Sequence, residues 1–361
     1  MDSSRFYYLD DNLKELLLKS NLNEGDVVSK NSGMCGDIYI FDRGSNTIPQ
    51  YSCAKIPKLI DGVSVKEIYA RFVNELENQL KYYHHQYVHW AYDFKEVMGV
   101  PVALFRYWGS DLRKIIKSSS SSDINKISIM AYLCAGLRHC YNKGLVSHQD
   151  LKPENIFIRN MRNDFSVQVE QDVYKFPLVG DFGLANASVD SDFFDGARPY
   201  MAPEQWERRP LSSKTDVFAL GVILFEMMSG GYHPAGIKLS DFWPKPIEGN
   251  TKKWTKAEPW RRWASNGGAI STDVEVLVDG EILVLVNKML SSNPDDRPDM
   301  SFMIDDLLQL LRSRDMSSFI QVSHLISHYD SQASLVSLEE SWPYLSQRWK
   351  MFKASLGEID K

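Results

Sequence analysis

Asp150, Lys152 and Asn155 stand within six positions of one another in SHQDLKPENIFI, Ser147 to Ile158. An acid, a cation and an amide at that spacing suit phosphoryl transfer, a reaction whose catalysis comes almost wholly from positioning and charge neutralisation. Asp150 can accept the proton of an attacking hydroxyl and orient it. Lys152 can neutralise charge on the moving phosphoryl, and Asn155 can hold Mg²⁺ through its amide oxygen, a hard ligand for a hard cation. A lone D-x-K-x-x-N can arise by chance, so its weight depends on the rest of the chain.

It is not alone. GDFGLA, Gly180 to Ala185, supplies an Asp-Phe-Gly, and PYMAPE ends at Glu204. With these stretches in order, the chain resembles the eukaryotic-type protein kinases, whose catalytic loop, Mg²⁺-binding triplet and Ala-Pro-Glu motif follow one another in this way. The resemblance runs over roughly residues 25 to 312, and Lys152 two residues after Asp150 is similar to the Ser/Thr class. It implies an α+β, two-lobed fold: a small lobe with a five-stranded antiparallel sheet and one major helix, and a large, mainly helical lobe. It also implies ATP and Mg²⁺ (or Mn²⁺) as cofactors and a protein substrate with a Ser or Thr hydroxyl. Asp150 and Lys152 are then catalytic, Asn155 and Asp181 hold the metal, Phe157 joins the nucleotide site, and Phe182 packs beneath the small lobe's helix.

The upstream motifs extend the resemblance. In SCAKIPK, Ala54 and Lys55 match the strand whose Lys grips the α- and β-phosphates. Its Glu partner falls in FVNELENQLKYYHH. Glu75 fits the F-x-x-E pattern and puts His84 where a histidine commonly closes that helix, but Gln79 then occupies a usually apolar position, so Glu77 stays open. NSGMCGDI matches a glycine-rich loop, with Asn31 in the first glycine slot and Gly33, Gly36 and Ile38 in the others. Asn tolerates left-handed backbone better than most residues, so such a loop can still cover phosphates. ALFRYWGSDLRKII resembles the hinge of cyclin-dependent kinases, with Phe105 as gatekeeper, Arg106, Tyr107 and Trp108 at the adenine and Asp111 near the ribose. Asp216 in TDVFALG resembles the buried Asp that holds the catalytic loop, and Arg297 in NPDDRPD the Arg that pairs with Glu204. The last pair separates protein kinases from small-molecule phosphotransferases.

Three departures matter. Gln149 replaces the Arg of His-Arg-Asp, and a neutral Gln cannot form the bidentate bond that Arg makes with an activation-segment phosphate. Activity is therefore expected not to depend on phosphorylation of the segment, whose side-chain hydroxyls before Tyr200 are Ser188 and Ser191, among Asp190, Asp192 and Asp195. Ala197 stands where Ser/Thr kinases usually have a Thr bridging the catalytic Asp and Lys, and losing that hydroxyl should loosen the pair. Together with Asn31, these residues support an alternative, a kinase-fold scaffold that signals by binding; the complete set of charged catalytic residues speaks against it.

The elements that must position these residues are visible as patterns. DDNLKELLLKS reads as a helix with Asp10 or Asp11 as cap and Leu13, Leu16 and Leu17 on one face; Asp26 to Pro57 reads as a strand meander, and KEIYARFVNELENQL as the helix after it. Ile127, Met130, Leu133, Leu137 and Tyr141 share one helical face between Asp123 and Gly144, and TDVFALGVILFEMMS is apolar nearly all round, as in a buried helix. The division is 1–24 as an N-terminal helical extension, 25–106 and 107–312 as the two lobes, and 313–361 as a helical tail. NMRNDFSVQVEQDVYK suggests an extra hairpin, and the Ser118 to Asp123 run a solvated linker. KKWTKAEPWRRW reads as Trp packed under a basic face, with an acidic or nucleic-acid partner as the sharper alternative. In the tail, Leu335, Leu338, Trp342, Leu345, Trp349 and Phe352 form a helical stripe, interrupted at Pro343, either packed on the large lobe or used for self-association through 335–352.

Composition bounds the rest. A net charge of −6 over 361 residues argues against general nucleic-acid binding. The four cysteines lack C-x-x-C spacing, and the start MDSSRFYYLDD lacks a basic region followed by an apolar run. No apolar stretch approaches the ~20 residues of a membrane span. A cytoplasmic, reducing environment is the expectation, and His84, His85 and His89, without carboxylate or thiolate neighbours in sequence, are not expected to bind metal.

Overall fold

A computed structural model describes residues 3–32, 36–118, 120–163, 171–186, 196–242, 245, 247–248, 252–333 and 338–356. The chain divides into two units, one of residues 1–83, 89–109 and 335–361, the other of 84–88 and 110–334.

The first unit is built on a five-stranded antiparallel sheet of order β1-β2-β3-β5-β4, with β1 at Asp26–Ser32, β2 at Gly36–Asp42, β3 at Tyr51–Pro57, β4 at Ala91–Val97 and β5 at Val100–Arg106. Helix α1, Asp11–Leu22, precedes the sheet, and α2, Val65–Lys81, lies between β3 and β4. Side chains alternate across a strand: Tyr39 and Phe41 enter one apolar cluster and Ile40 the other, as do Ala54 and Ile56 against Cys53. Both faces are covered, which is why β5 reads as a continuous apolar run rather than an alternating one. Asp10 caps α1, accepting from the Leu13 N–H at 2.9 Å. The buried face of α1 is Leu18 and Leu22, however, and Leu13 and Leu16 are exposed. The expected Leu13, Leu16 and Leu17 stripe is thus displaced, because the helix rests on the sheet cluster by its second half. Ser64 caps α2, whose inward stripe of Ile68, Phe72, Leu76 and Leu80 keeps helical spacing.

The second unit is mainly helical. Short α3, Leu112–Lys117, leads to α4, Asp123–Asn142, which is buried on nearly every side. Its cap is Ser122, accepting from the Asn125 N–H at 3.1 Å. Gly144, at φ +95°, ends it in the left-handed conformation that glycine takes without strain. Strands β6, Ile156–Asn160, and β7, Lys175–Val179, form an antiparallel pair, and residues 164–170 of the expected extra hairpin lie outside the described residues. Then come α5 (Pro203–Trp206), α6 (Ser213–Met228), the short pair β8 (Tyr232–His233) and β9 (Ile237–Lys238), α7 (Ala257–Ser265), α8 (Thr272–Glu275), α9 (Gly280–Met289) and α10 (Met300–Arg314). Every residue of α6 from Thr215 to Met228 is buried, as its all-round apolar sequence requires.

The tail departs from expectation. Helix α11, Met316–Ala333, packs on α4 and α10 in the second unit, where Asp330 bonds to Arg138 at 2.5 Å and to His85 Nε2 at 3.1 Å. Helices α12, Leu338–Ser341, and α13, Pro343–Ser355, belong instead to the first unit, where α13 covers β4. Leu345, Trp349 and Phe352 are buried in the cluster that holds Phe72, Leu76 and Phe94. Arg348 grips Asp93 with two bonds, at 2.8 and 3.2 Å. The stripe assigned to the large lobe or to self-association is therefore occupied inside the first unit, because the sheet's second face needs an apolar cover; Leu335 lies outside the described residues.

Candidate active site

The second unit carries the catalytic loop between α4 and β6. Asp216, in the first turn of α6, is buried and accepts four hydrogen bonds. Oδ1 takes the Ser147 hydroxyl and the Gln149 N–H, both at 3.1 Å, and Oδ2 takes the Tyr141 hydroxyl and the His148 N–H, both at 2.7 Å. Burial raises the Asp216 carboxyl above its ordinary pKa, while the charge of His148 and these bonds pull it back. The loop backbone is thereby fixed one residue before Asp150, where Gln149 takes a left-handed φ of +70°.

Asp150 is held at both oxygens. Oδ2 accepts from Lys152 Nζ at 2.7 Å and Asn155 Nδ2 at 3.0 Å, and Oδ1 accepts from the Ala197 N–H at 2.9 Å. Burial works against the Lys152 ammonium, but Asp150, Asp181 and Glu154 outweigh it and hold its pKa above the ordinary lysine value. The Ala197 side chain supplies no hydroxyl; the Asp150–Lys152 pair is formed at one carboxylate oxygen and the Ala197 N–H donates to the other.

Asn155 turns its amide nitrogen to the Asp150 carboxylate and to the Asp150 carbonyl, at 2.9 Å, which leaves the amide oxygen as its acceptor. Asp181 sits at φ +60°, and its neighbour Gly180 is tied to the loop through the Asn155 carbonyl at 3.0 Å and His148 Nε2 at 3.1 Å. A carbonyl only accepts, so His148 carries its proton on Nε2. Phe182 is fully buried, 4.9 Å from the His148 ring. An amide oxygen and a carboxylate are a hard donor pair that fits Mg²⁺, which keeps several non-protein ligands. Among the described residues no group of three or more His, Cys, Asp or Glu side chains is placed to hold a metal ion.

The segment 196–206 is pinned at several points. Glu204 and Arg297 form a buried bidentate pair, at 2.6 and 3.0 Å. Tyr200 donates to Glu226 at 2.6 Å. His233 Nδ1 accepts from the Ala235 N–H at 3.0 Å, so Nε2 carries the proton and donates to the Pro199 carbonyl at 2.9 Å. Burial, reinforced by Arg113, outweighs that bond and pushes His233 down to about 3, keeping it neutral. Ser188, Ser191, Asp190, Asp192 and Asp195 lie outside the described residues.

In the first unit Lys55 on β3 forms an ion pair with Glu75 of α2, both largely buried. Glu77 bonds instead to Lys353 of α13 at 3.1 Å, which decides between the two glutamates. Gln79 is buried at its apolar-type position and donates to the His89 carbonyl at 2.8 Å. Asn31 pairs with Ile38 as a strand residue, so no left-handed backbone is called on there. Gly36 is needed for close approach: a Cβ would stand 2.8 Å from the Ile56 carbonyl. Gly33 lies outside the described residues.

Ala54 is buried opposite Leu104, and Phe105 is buried with its ring stacked on His89 at 5.2 Å. The Tyr107 N–H is committed to the Tyr51 carbonyl at 3.1 Å, and the Arg106 guanidinium lies 4.1 Å from the Trp108 ring. Burial, with the charge of Lys55 adding to it, holds His89 at about 4 against its bond to the Arg106 carbonyl. In the second unit Asp111 caps α3, accepting from the Lys114 N–H at 2.9 Å, and bridges to Phe157 on β6.

The Trp-rich stretch packs inward. Trp260 is fully buried and donates to the Trp254 carbonyl at 2.7 Å, Trp263 donates to the Ala269 carbonyl at 3.0 Å, and the exposed Arg261 and Arg262 pair with Glu258. Sequence reasoning missed the Ala197 N–H, which has no side-chain signature, and Gln205. The latter's signal was available, since Gln at the third helical position is a capping-box residue.

The pattern of the family described as the protein kinase domain matches residues 50–308. The chain belongs to this family. A probable serine/threonine-protein kinase of Clostridium acetobutylicum is 32% identical over 127 residues, 34% of this chain and 17% of that protein. A serine/threonine-protein kinase of Myxococcus xanthus is 28% identical over 200 residues, 53% of this chain and 32% of its own length. The ovarian-specific serine/threonine-protein kinase Lok of Drosophila melanogaster is 30% identical over 218 residues, 58% of this chain and 39% of that one. The matched stretches thus span 17% to 39% of these relatives.

Proposed function

We propose that the chain is an ATP- and Mg²⁺-dependent protein serine/threonine kinase that works without a phosphate on its activation segment. The observation that carries the reading is the Asp150 carboxylate, oriented at once by Lys152, Asn155 and the Ala197 N–H. Asp150 orients the substrate hydroxyl and receives its proton as the oxygen bonds to the γ-phosphorus and the bond to ADP breaks. Lys152 neutralises charge on the transferring group, and Lys55, steadied by Glu75, holds ATP. Asn155 and Asp181 hold Mg²⁺, which supplies further neutralisation of phosphate charge; Mn²⁺ suits the same donors.

Independence from phosphorylation is supported by what already fixes 196–206: Arg297, Glu226, His233 and the catalytic loop itself. The substrate is a protein with Ser or Thr. The described cysteines, Cys53, Cys134 and Cys140, are buried and unbridged, and burial pushes Cys53 and Cys134 up to about 12, which keeps them inert and suits a reducing, cytoplasmic setting. No helix among the described residues is long and apolar enough to cross a membrane.

The test is transfer from labelled ATP with Mg²⁺ or Mn²⁺, to the protein itself and to a generic protein substrate. Activity in the wild type that Asp150→Ala and Asp181→Asn each abolish supports the assignment. A folded wild type that neither transfers phosphate nor binds ATP favours the scaffold. Ser188→Ala/Ser191→Ala is expected to keep at least half of the activity, and loss of nearly all of it refutes phosphate independence.

A further inference from the structure

The Gln149 carbonyl is a meeting point that none of the motifs accounts for. Gln205, the third residue of α5, is buried, and its Oε1 accepts from the Ala202 N–H at 3.0 Å. A backbone N–H can only donate, so this bond sets the amide orientation and turns Nε2 outward as a donor. Nε2 donates to the Gln149 carbonyl at 3.0 Å. Gly196 passes against the same carbonyl: a Cβ there would stand 2.9 Å from that oxygen and 3.5 Å from Gln205 Nε2. The next residue, Ala197, sends its N–H to Asp150.

We infer that Gln205 is a positioning residue for phosphoryl transfer. Its neutral amide ties the start of α5 to the catalytic loop and so keeps the Ala197 N–H on the Asp150 carboxylate. The inference rests on the kinase reading above. The backbone around Gln149 has a left-handed φ, a conformation that side-chain-bearing residues adopt only where neighbours hold it. Asp216 holds its N–H and Gln205 its carbonyl. Of the usual capping-box residues, Glu could satisfy Ala202 but would present an anion to a carbonyl oxygen. Gln alone among them serves both partners.

The experiment uses the full chain and three versions: wild type, Gln205→Leu and Gln205→Glu. Gln205→Leu removes both bonds and is expected to lower kcat 10- to 100-fold, the scale of an ångström's misplacement at a reacting group, with ATP affinity within twofold of wild type. Gln205→Glu supplies the signature that a merely structural role would not give. Burial beside a carbonyl oxygen raises a carboxyl's pKa, and its protonated form can donate to the Gln149 carbonyl. Its kcat relative to wild type is therefore expected to rise as pH falls from 8 to 6.

A Gln205→Leu kcat within threefold of wild type, or a Gln205→Glu loss that is flat in pH, overturns the inference. Should Gln205→Leu not fold, the pH profile of Gln205→Glu decides. If wild type transfers no phosphate, the kinase reading fails instead, and hydrogen exchange at the Ala197 amide still judges the tie: faster exchange in Gln205→Glu at pH 8 supports it, and unchanged exchange overturns it.

Discussion

Asp216→Asn exchanges one oxygen for one nitrogen and leaves shape intact, so its cost can be worked from the four bonds alone. Each carboxylate oxygen accepts one hydroxyl and one backbone N–H. If the new NH₂ replaces Oδ2, the Tyr141 hydroxyl can rotate to accept, but the His148 N–H faces a donor. If it replaces Oδ1, Ser147 can rotate and the Gln149 N–H is stranded. Either way one buried backbone N–H loses its partner, at about 1–3 kcal/mol, and the surviving bonds lose their charge assistance. Removing a buried charge returns part of this, leaving a net cost of about 2 kcal/mol. The stranded group lies one or two residues from Asp150, so kcat should fall about 10- to 100-fold.

Tyr141→Phe removes a donor that does not belong to the loop backbone. It should cost only about 1 kcal/mol and leave kcat within about twofold. Urea unfolding followed by far-UV circular dichroism gives the stabilities, and hydrogen exchange at His148 and Gln149 shows which amide is stranded. The reasoning is refuted if both amides keep wild-type protection in Asp216→Asn, or if Tyr141→Phe slows turnover as much as Asp216→Asn does.

Trp349→Ala should destabilise the first unit by about 3–5 kcal/mol, because a nearly buried ring packed 4.8 Å from Phe94 leaves a cavity. Glu77→Gln, which breaks only the half-exposed pair with Lys353, should move the urea midpoint by less than the equivalent of about 0.5 kcal/mol; equal effects for the two changes would contradict this ranking of burial over surface charge. For Asp330, burial pushes the carboxyl up, but His85 and Arg138 outweigh it and hold the pKa below the ordinary 3.8. A depressed native pKa gives stability that is complete above 3.8 and lost as pH falls through the native value. The stability gap between wild type and Asp330→Asn should therefore be level from pH 7 to pH 5 and shrink in acid, and a gap that widens in acid would reverse the assignment.

Much of the site was legible because its chemistry is carried by side chains with few substitutes. An Asp that must accept four donors, a Lys and Glu that must meet, and an Arg and Glu that must pair in the core leave their types in the sequence at ordered intervals. What escaped detection was of two kinds. The Ala197 N–H belongs to every residue but proline, so no residue type marks its use. The burial of α1 and the docking of α13 depend on which apolar surface remains uncovered after the sheet has formed, and periodicity within one helix cannot report the needs of another element. Thus Leu13 and Leu16 satisfied the helical period and still face solvent, while Trp349 and Phe352 found a different host from the one expected.

The departures at Gln149 and Ala197 share a physical logic. An Arg in the first position and a Thr hydroxyl in the second fix an activation segment through side chains, one of which answers only to a phosphate. Here two of the bonds that tie the same stretch to the catalytic loop each use one backbone atom: the Ala197 N–H on the Asp150 carboxylate and the Gln149 carbonyl on the Gln205 amide. Backbone bonds of this kind need close approach, and Gly196 is what permits it. On the function proposed above, a catalytic loop held in this way needs no phosphate on that segment, and regulation of turnover would act elsewhere, for example on the Lys55–Glu75 pair, whose helix shares a buried apolar cluster with α13.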